Sequence, residues 1–290
     1  YGRKEDNFFL DINSFKSNSI GHGTIMKRYN PNINLNEKRA SVQMDAYNDY
    51  MGFEAYTNSF IKPTMAAGIF FIKPFSLFSD ALIKNTSVGF TYVTEFESPI
   101  RLGRDDQDID RDAIRYEIQV NPEELTATYL KKPVTAYGID IETKIFLDHN
   151  LDVKVYFDLS YLEAEIPDDG RAYVNQEDEP VIDENQAKLT KTRSQGLAIG
   201  SLFRYNLVSD EDTYSWRTRV EARMHDGNYL PSYFNTFHEM QKLQYYSPDN
   251  LKRAYPDESV DKYNNTKAQE ILSRNQESIY SFYFETSFGL

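Results

Sequence analysis

Three groups of residues in this chain have types and spacings that can do chemistry. The first is Asp106-Gln107-Asp108-Ile109-Asp110-Arg111-Asp112, followed by Glu117. Asp106, Asp108, Asp110 and Asp112, with Glu117 further on, reproduce the ligand spacing of a Ca2+ loop, where hard carboxylate oxygens wrap a hard cation. Arg111 stands where the sharp turn needs glycine, and no flanking helices are evident. A solvated acidic loop therefore competes with the metal reading. The second group is Ile20-Gly21-His22-Gly23-Thr24, in which Gly21 and Gly23 give the backbone around His22 freedom and close approach. No Ser or acid lies at the spacing a nucleophile would need, so a structural loop inserted into a larger framework is expected and no catalytic residue is assigned. The third group is the most plausible functional set: Arg204, Arg217, Arg219 and Arg223, with Glu221, Asp140, Glu142, Asp158, Glu95 and Glu285. It reads either as an internal salt-bridge network or as a selectivity surface in which an arginine ladder faces acids across a water path.

The elements that must position these charges alternate with a period of two. In 213–224, Tyr214, Trp216, Thr218, Val220, Ala222 and Met224 form one face, and Arg217, Arg219, Glu221 and Arg223 the other. A soluble core rarely accepts four charges in a row on one strand face, whereas a polar barrel lumen does. Segments 137–145 and 153–161 alternate in the same way around Asp148-His149-Asn150, a turn sequence. Segments 197–205 and 88–94 follow the rule, and 7–15, 38–47, 51–59 and 64–73 follow it more weakly. At the end of the chain, Tyr280, Phe282, Phe284, Thr286, Phe288 and Leu290 share a face, opposed by Ser281, Tyr283, Glu285, Ser287 and Gly289. This gives ten strands, or twelve or more if a segment precedes Tyr1-Gly2-Arg3-Lys4, which reads as a mature or truncated start.

Placing the chain end in the periplasm assigns the turns 48–50, 74–85, 147–150 and 207–212 to that side. The long segments 16–37, 97–134, 164–195 and 225–276 then lie outside. Short periplasmic turns and long extracellular loops are the asymmetry of outer-membrane barrels, and it is independent of the alternation that marks the strands. In the last long loop Phe234, Phe237, Met240 and Leu243 recur every three residues, and Thr236-Phe237-His238-Glu239 fits a capping box, so a short amphipathic helix is expected there.

Composition agrees. The 290 residues carry a net charge of −13, which argues against nucleic acid as a partner. Mean hydropathy is −0.63, and the longest apolar run, near Met65 to Ile72, ends at Lys73-Pro74. No helical span is present, but barrel strands need only alternate apolar residues. Tyr occurs 22 times and Phe 19 times, as interfacial girdles require. Cysteine is absent, which excludes a disulfide scaffold and thiol chemistry. His149, His225 and His238 have no partners at metal-ligand spacing.

The last strand resembles the C-terminal signal strand of bacterial outer-membrane barrels. Together with Gly21-His22-Gly23-Thr24 and Asn228-Tyr229-Leu230-Pro231 with Tyr233-Phe234, it gives the chain a loose overall resemblance to porin-like outer-membrane β-barrel proteins of Gram-negative bacteria. The resemblance implies a barrel, and it ties no motif to an activity. The expectation is one all-β domain over 1–290, an antiparallel transmembrane β-barrel of about ten to twelve strands in the bacterial outer membrane. Its partners would be outer-membrane lipid and the barrel assembly machinery, and Ca2+ in an outer loop the one cofactor considered. It would serve as a narrow pore for small polar solutes or as a closed structural or surface barrel. Two alternatives stand beside this: an outer-membrane enzyme, which needs a His and a nucleophile at the outer rim, and a soluble β-sandwich binding protein.

Overall fold

The computed structural model describes residues 7–14, 17–33, 38–78, 81–102, 120–121, 126–127, 129–147, 150–167, 173–174, 180–181, 189–208, 213–243, 266–272, 274 and 276–289. In chain order, β1 (Phe8–Asn13), β2 (Asn18–Ile20), β3 (Met26–Tyr29), β4 (Ser41–Tyr47), β5 (Met51–Thr57) and β6 (Met65–Ile72) lead to a single helical turn, α1 (Ala81–Lys84). Then come β7 (Thr86–Leu102), the two-residue pair β8 (Val120–Asn121) and β9 (Thr126–Ala127), β10 (Tyr129–Leu147) and β11 (Leu151–Pro167). A second small pair, β12 (Tyr173–Val174) and β13 (Pro180–Val181), precedes β14 (Leu189–Val208) and β15 (Thr213–Asp226). The chain ends with β16 (Phe234–Asn235), α2 (His238–Gln241), α3 (Lys267–Leu272) and β17 (Ser278–Gly289).

Ten strands form one antiparallel sheet in the order β1-β4-β5-β6-β7-β10-β11-β14-β15-β17. These are the ten segments that alternation picks out, the four weaker ones included. Of these, β7, β10, β11 and β14 run well beyond the predicted bounds. Every neighbour in this sheet is also the next strand of the sheet along the chain, so the connections are all of the up-and-down kind. The strands leave the sheet at one end between β4 and β5, β6 and β7, β10 and β11, and β14 and β15. They leave it at the other end between β1 and β4, β5 and β6, β7 and β10, β11 and β14, and β15 and β17. The first set is joined by short stretches of sequence and the second, apart from 58–64, by long ones.

Register gives the sheet two unlike faces. Phe53, Phe70, Phe90, Ile139, Leu159, Leu197, Met224 and Tyr280 form one continuous row across eight strands. Shifted by one residue, the row reads Gly89, Asp140, Asp158, Ala198, Arg223 and Ser281. The exposed face is the apolar one: Phe70, Phe90, Ile139, Ile199, Val220 and Phe284 are open to solvent, and Phe282 is 88% exposed. The polar face is covered, with Glu95, Asp158 and Glu221 at 1%, 3% and 1% exposure. This inverts the usual distribution of a soluble protein, where large apolar patches are buried and charges face water.

The polar face is covered by the chain's own loops. β2 and β3 form a hairpin, and β16 adds to it in parallel, giving a small three-stranded sheet. Ile20, Ile25, Met26 and Tyr29 of this hairpin pack into the buried cluster with Val93, Ala136 and Leu162 of the large sheet, Tyr229 and Phe234 of the last loop, and Ile271 of α3. Small residues make the room. A side chain on Gly196 of β14 would come within 2.5 Å of the Tyr229 ring.

The predicted helix in the last loop is only partly present. α2 spans four residues with Phe237 at its N-cap and no side-chain cap bond. The Thr236 hydroxyl donates instead to the Arg28 carbonyl, at 2.9 Å. Phe237 and Met240 are exposed, while His238 and Glu239 are buried. The three-residue apolar stripe is therefore not the packed face, because charged partners from β7 and the first loop draw the polar side inward.

Candidate functional site

The candidate site is the contact between the tip of the β2–β3 hairpin and the polar face of β10, β11, β15 and β17. At the tip Gly21 and Gly23 have φ of 57° and 81°, a left-handed pair that favours glycine and lets the chain reverse around His22. The reversal drives the imidazole against the sheet. His22 Nδ1 bonds Asp158 Oδ1 at 2.7 Å, and Nε2 bonds Glu142 Oε2 at 3.0 Å. The ring also stacks on Tyr156, with centroids 4.1 Å apart. Two carboxylates on two ring nitrogens require both to carry protons. Burial alone would lower the His22 pKa, but hydrogen bonds and charge from Asp158 and Glu142 outweigh it and raise it to about 9. His22 is held as an imidazolium.

Around this pair the charges close on one another. Lys154 Nζ donates to Glu142 at 2.9 Å. Glu221 accepts from Tyr156, Arg219 and Arg223, the last at 2.6 Å. Arg223 lies 4.2 Å over the Tyr283 ring. The stem of the hairpin is tied to the last strand: Lys27 Nζ and Arg28 Nη2 donate to Glu285 at 2.7 and 2.5 Å. Asp140 lines, with Gly21, His22, Thr24, Asp158 and Ser160, a cavity of about 10 Å3, on the order of one water.

This settles where the expected site residues go. Glu142, Asp158, Glu221, Arg219, Arg223 and Glu285 join one network with His22, positioned by Gly21 and Gly23, and Asp140 lies beside it. The arginine ladder across a water path does not form. Arg219 and Arg223 turn onto Glu221 of their own strand, two residues away on either side. Arg204 and Arg217 pair in register further along, exposed and outside the network. Asp106, Asp108, Asp110 and Glu117 lie outside the described residues. Among the described residues no group of three or more His, Asp or Glu side chains is arranged to hold a metal.

Sequence reasoning missed Lys27, Lys154, Tyr156 and Tyr283, which complete the network. It also missed a second cluster at the long-connection end. There His238 Nε2 and Lys242 Nζ meet Glu95 at 3.0 and 2.9 Å. Lys242 and Arg39 both reach Glu239, at 2.9 and 3.0 Å. Lys267 Nζ donates to the Tyr233 carbonyl at 2.6 Å and to Gln241 at 3.0 Å. Burial lowers the Lys267 pKa to about 7. Burial also holds His238 below its ordinary range, although Glu95 pulls the other way.

Chemically, the hairpin contact is built to clamp. Both His22 nitrogens are committed to carboxylates. Ser160, which lines the same cavity as His22, is bonded to Tyr229 at 2.5 Å and to the Gly196 carbonyl at 3.1 Å. Among the described residues its bonds go to Tyr229 and the Gly196 carbonyl and not to a His or a carboxylate, so no bonded nucleophile–base pair is seen here. No protein-family model, curated protein or solved structure matches the chain.

Proposed function

We propose that this chain is a transmembrane β-barrel of a bacterial outer membrane, held closed by its own first loop. The observation that carries the reading is the inverted polarity of the ten-stranded sheet, apolar outside and charged within. Aromatic rows frame the apolar face at both ends: Tyr92, Tyr137 and Tyr161 in one register, Tyr205, Trp216 and Phe288 in another. On β11 these levels fall at Tyr161 and Leu151, ten residues apart. At ~3.4 Å per residue and a tilt of ~40°, ten residues rise about 25 Å, the height of the apolar band of outer-membrane barrels.

The hairpin supports the second half of the proposal. A barrel of about ten strands has an interior that side chains nearly fill. Here a three-stranded insert, clamped by His22 at its tip and by Lys27 and Arg28 at its stem, occupies that space. The resting molecule passes no bulk solute and acts as a closed structural or surface barrel. A narrow path for small polar solutes would open when the hairpin withdraws. The last strand, β17, is the element the assembly machinery would read.

Planar-bilayer conductance of the reconstituted chain tests this, with migration of unheated and heated samples on a gel as the companion measurement. The expected results are a heat-dependent shift, negligible conductance for the wild type, and stepwise conductance when Gly21–Thr24 is shortened to a Gly-Gly link. Absence of the shift would overturn the barrel. Steady wild-type conductance would overturn the closed state.

A further inference from the structure

Three of the four connections at the short end of the sheet are polar: Asn48-Asp49-Tyr50, Asp148-His149-Asn150 and Ser209-Asp210-Glu211-Asp212. The fourth, 73–85, is different in kind. It begins Lys73-Pro74-Phe75-Ser76-Leu77-Phe78 and ends on α1, with Ile83 and Lys84. Phe75, Phe78 and Ile83 are exposed, and Leu77 is 84% exposed. The segment is nonetheless ordered onto itself. Ser76 N donates to the Lys73 carbonyl at 3.2 Å, and Phe78 N to the Phe75 carbonyl at 3.0 Å. The Phe75 and Phe78 rings pack edge to face, with centroids 5.7 Å apart.

The patch continues the apolar face of the sheet. Lys73 N donates to the Tyr50 carbonyl at 2.7 Å, which holds the segment beside the β4–β5 turn. There Tyr50 and Met51 are exposed, and Met51 is in register with the exposed Ile72. An apolar patch of this kind, continuous with a lipid-facing belt and flanked by cations, has the composition of an interfacial anchor. Lys73 and Lys84 bracket it, and neither has an ion pair among the described residues.

We propose that Phe75, Leu77, Phe78 and Ile83 enter the membrane at the short-connection side, with Lys73 and Lys84 against lipid phosphates, so that this connection anchors the barrel to anionic phospholipid. The proposal rests on the membrane-barrel reading above. It commits to lipid as the occupant because the patch adjoins the belt and carries lysines at both ends.

The chain has no cysteine, so single labels are simple to place. Leu77→Cys and, as a belt control, Phe282→Cys would each carry a spin label in the full-length chain, reconstituted in vesicles of mixed zwitterionic and anionic phospholipid. Collisions with lipid-soluble oxygen and with an aqueous nickel complex give the depth of each. The expected result is oxygen access and nickel protection at both positions. Nickel access at position 77 with oxygen access at position 282 would overturn the anchor and leave the barrel standing. Nickel access at both would overturn both. Protection of position 77 from both reagents would mean a protein contact, such as a second copy, and would also overturn the anchor. As a charge test, Lys84→Gln should lower the insertion equilibrium constant about five-fold on anionic vesicles, since a lysine near an anionic surface is worth about 1 kcal/mol. It should have little effect on zwitterionic vesicles. An equal effect on both surfaces would remove the headgroup part of the proposal.

Discussion

His22 and His238 each lie against an inward carboxylate of the same sheet, yet they hold opposite charge states. His22 meets two acids, one on each ring nitrogen, and stays protonated to about pH 9 despite its burial. Burial disfavours the His238 imidazolium, and Lys267 adds to it, while the bonded Glu95, which also meets Lys242, and the nearby Glu239 pull the other way. Proximity of an acid does not decide protonation. What decides it is whether the acids outweigh burial: at His22 the two bonded carboxylates do, and at His238 they do not. The first histidine is therefore a salt-bridging clamp, and the second a neutral, packed hydrogen-bond partner.

Substitution should separate the two. His22→Leu leaves Asp158, 3% exposed, without its cation, and breaking a buried pair from one side costs about 3–5 kcal/mol. Urea unfolding from vesicles should register that loss, and the hairpin should become sensitive to protease. His238→Leu removes a bond from a neutral ring while Lys242 still holds Glu95, so a smaller cost of about 1.5–3 kcal/mol is expected. The reverse order would break the comparison.

The pH dependence sharpens it further. His22 gains a proton on folding, so its contribution is complete below its unfolded value of 6.5 and drains away as pH rises through about 9. Lys267 acts in the opposite sense. Its folded value of about 7 lies below the unfolded 10.5, so the unfolded chain binds more protons in between and stability rises with pH across that window. The two effects overlap and offset each other in the wild type. Lys267→Met should unmask a fall in the unfolding midpoint from pH 6.5 to 9, and His22→Gln a rise from pH 7 upward. Profiles identical to the wild type in both variants would refute both charge assignments. The smallest effect is expected at Lys131, which pairs with Glu97 at 3.4 Å with both side chains half exposed. Lys131→Ala should cost at most about 1 kcal/mol, in line with other exposed pairs.

The strands were legible because each writes its own pattern. Tyr214 to Met224 needs no distant partner to show an apolar and a charged face, and every neighbouring strand obeys the same period. The inserted loop was half legible. Gly21 and Gly23 announce a reversal around His22, but nothing local names Glu142 and Asp158, which lie 120 and 136 residues away. Nothing local sets Lys27 apart from other loop lysines, or Tyr156 from the other polar-face residues of its strand. The arginine ladder failed for a related reason. Facing was readable from parity, but Arg219 and Arg223 found their acid on their own strand at Glu221, which leaves Arg204 and Arg217 outside the network and breaks the ladder. The short helix at His238 is present, but its apolar spacing does not mark the buried side, because Glu95 and Arg39 fix which side turns in.

The hairpin stem also constrains time. Lys27 reaches Glu285 across 258 residues of chain, so one end of the clamp waits for the last strand to be made and paired. Closing so long a loop carries its entropy cost before any contact rewards it. Until β17 is in the sheet, the hairpin can be grasped at its tip but not at its stem. Full docking of residues 18–29 is thus a mark of completed assembly, and a chain halted one strand short would present a loosely held hairpin to any protease or chaperone that patrols unfinished molecules.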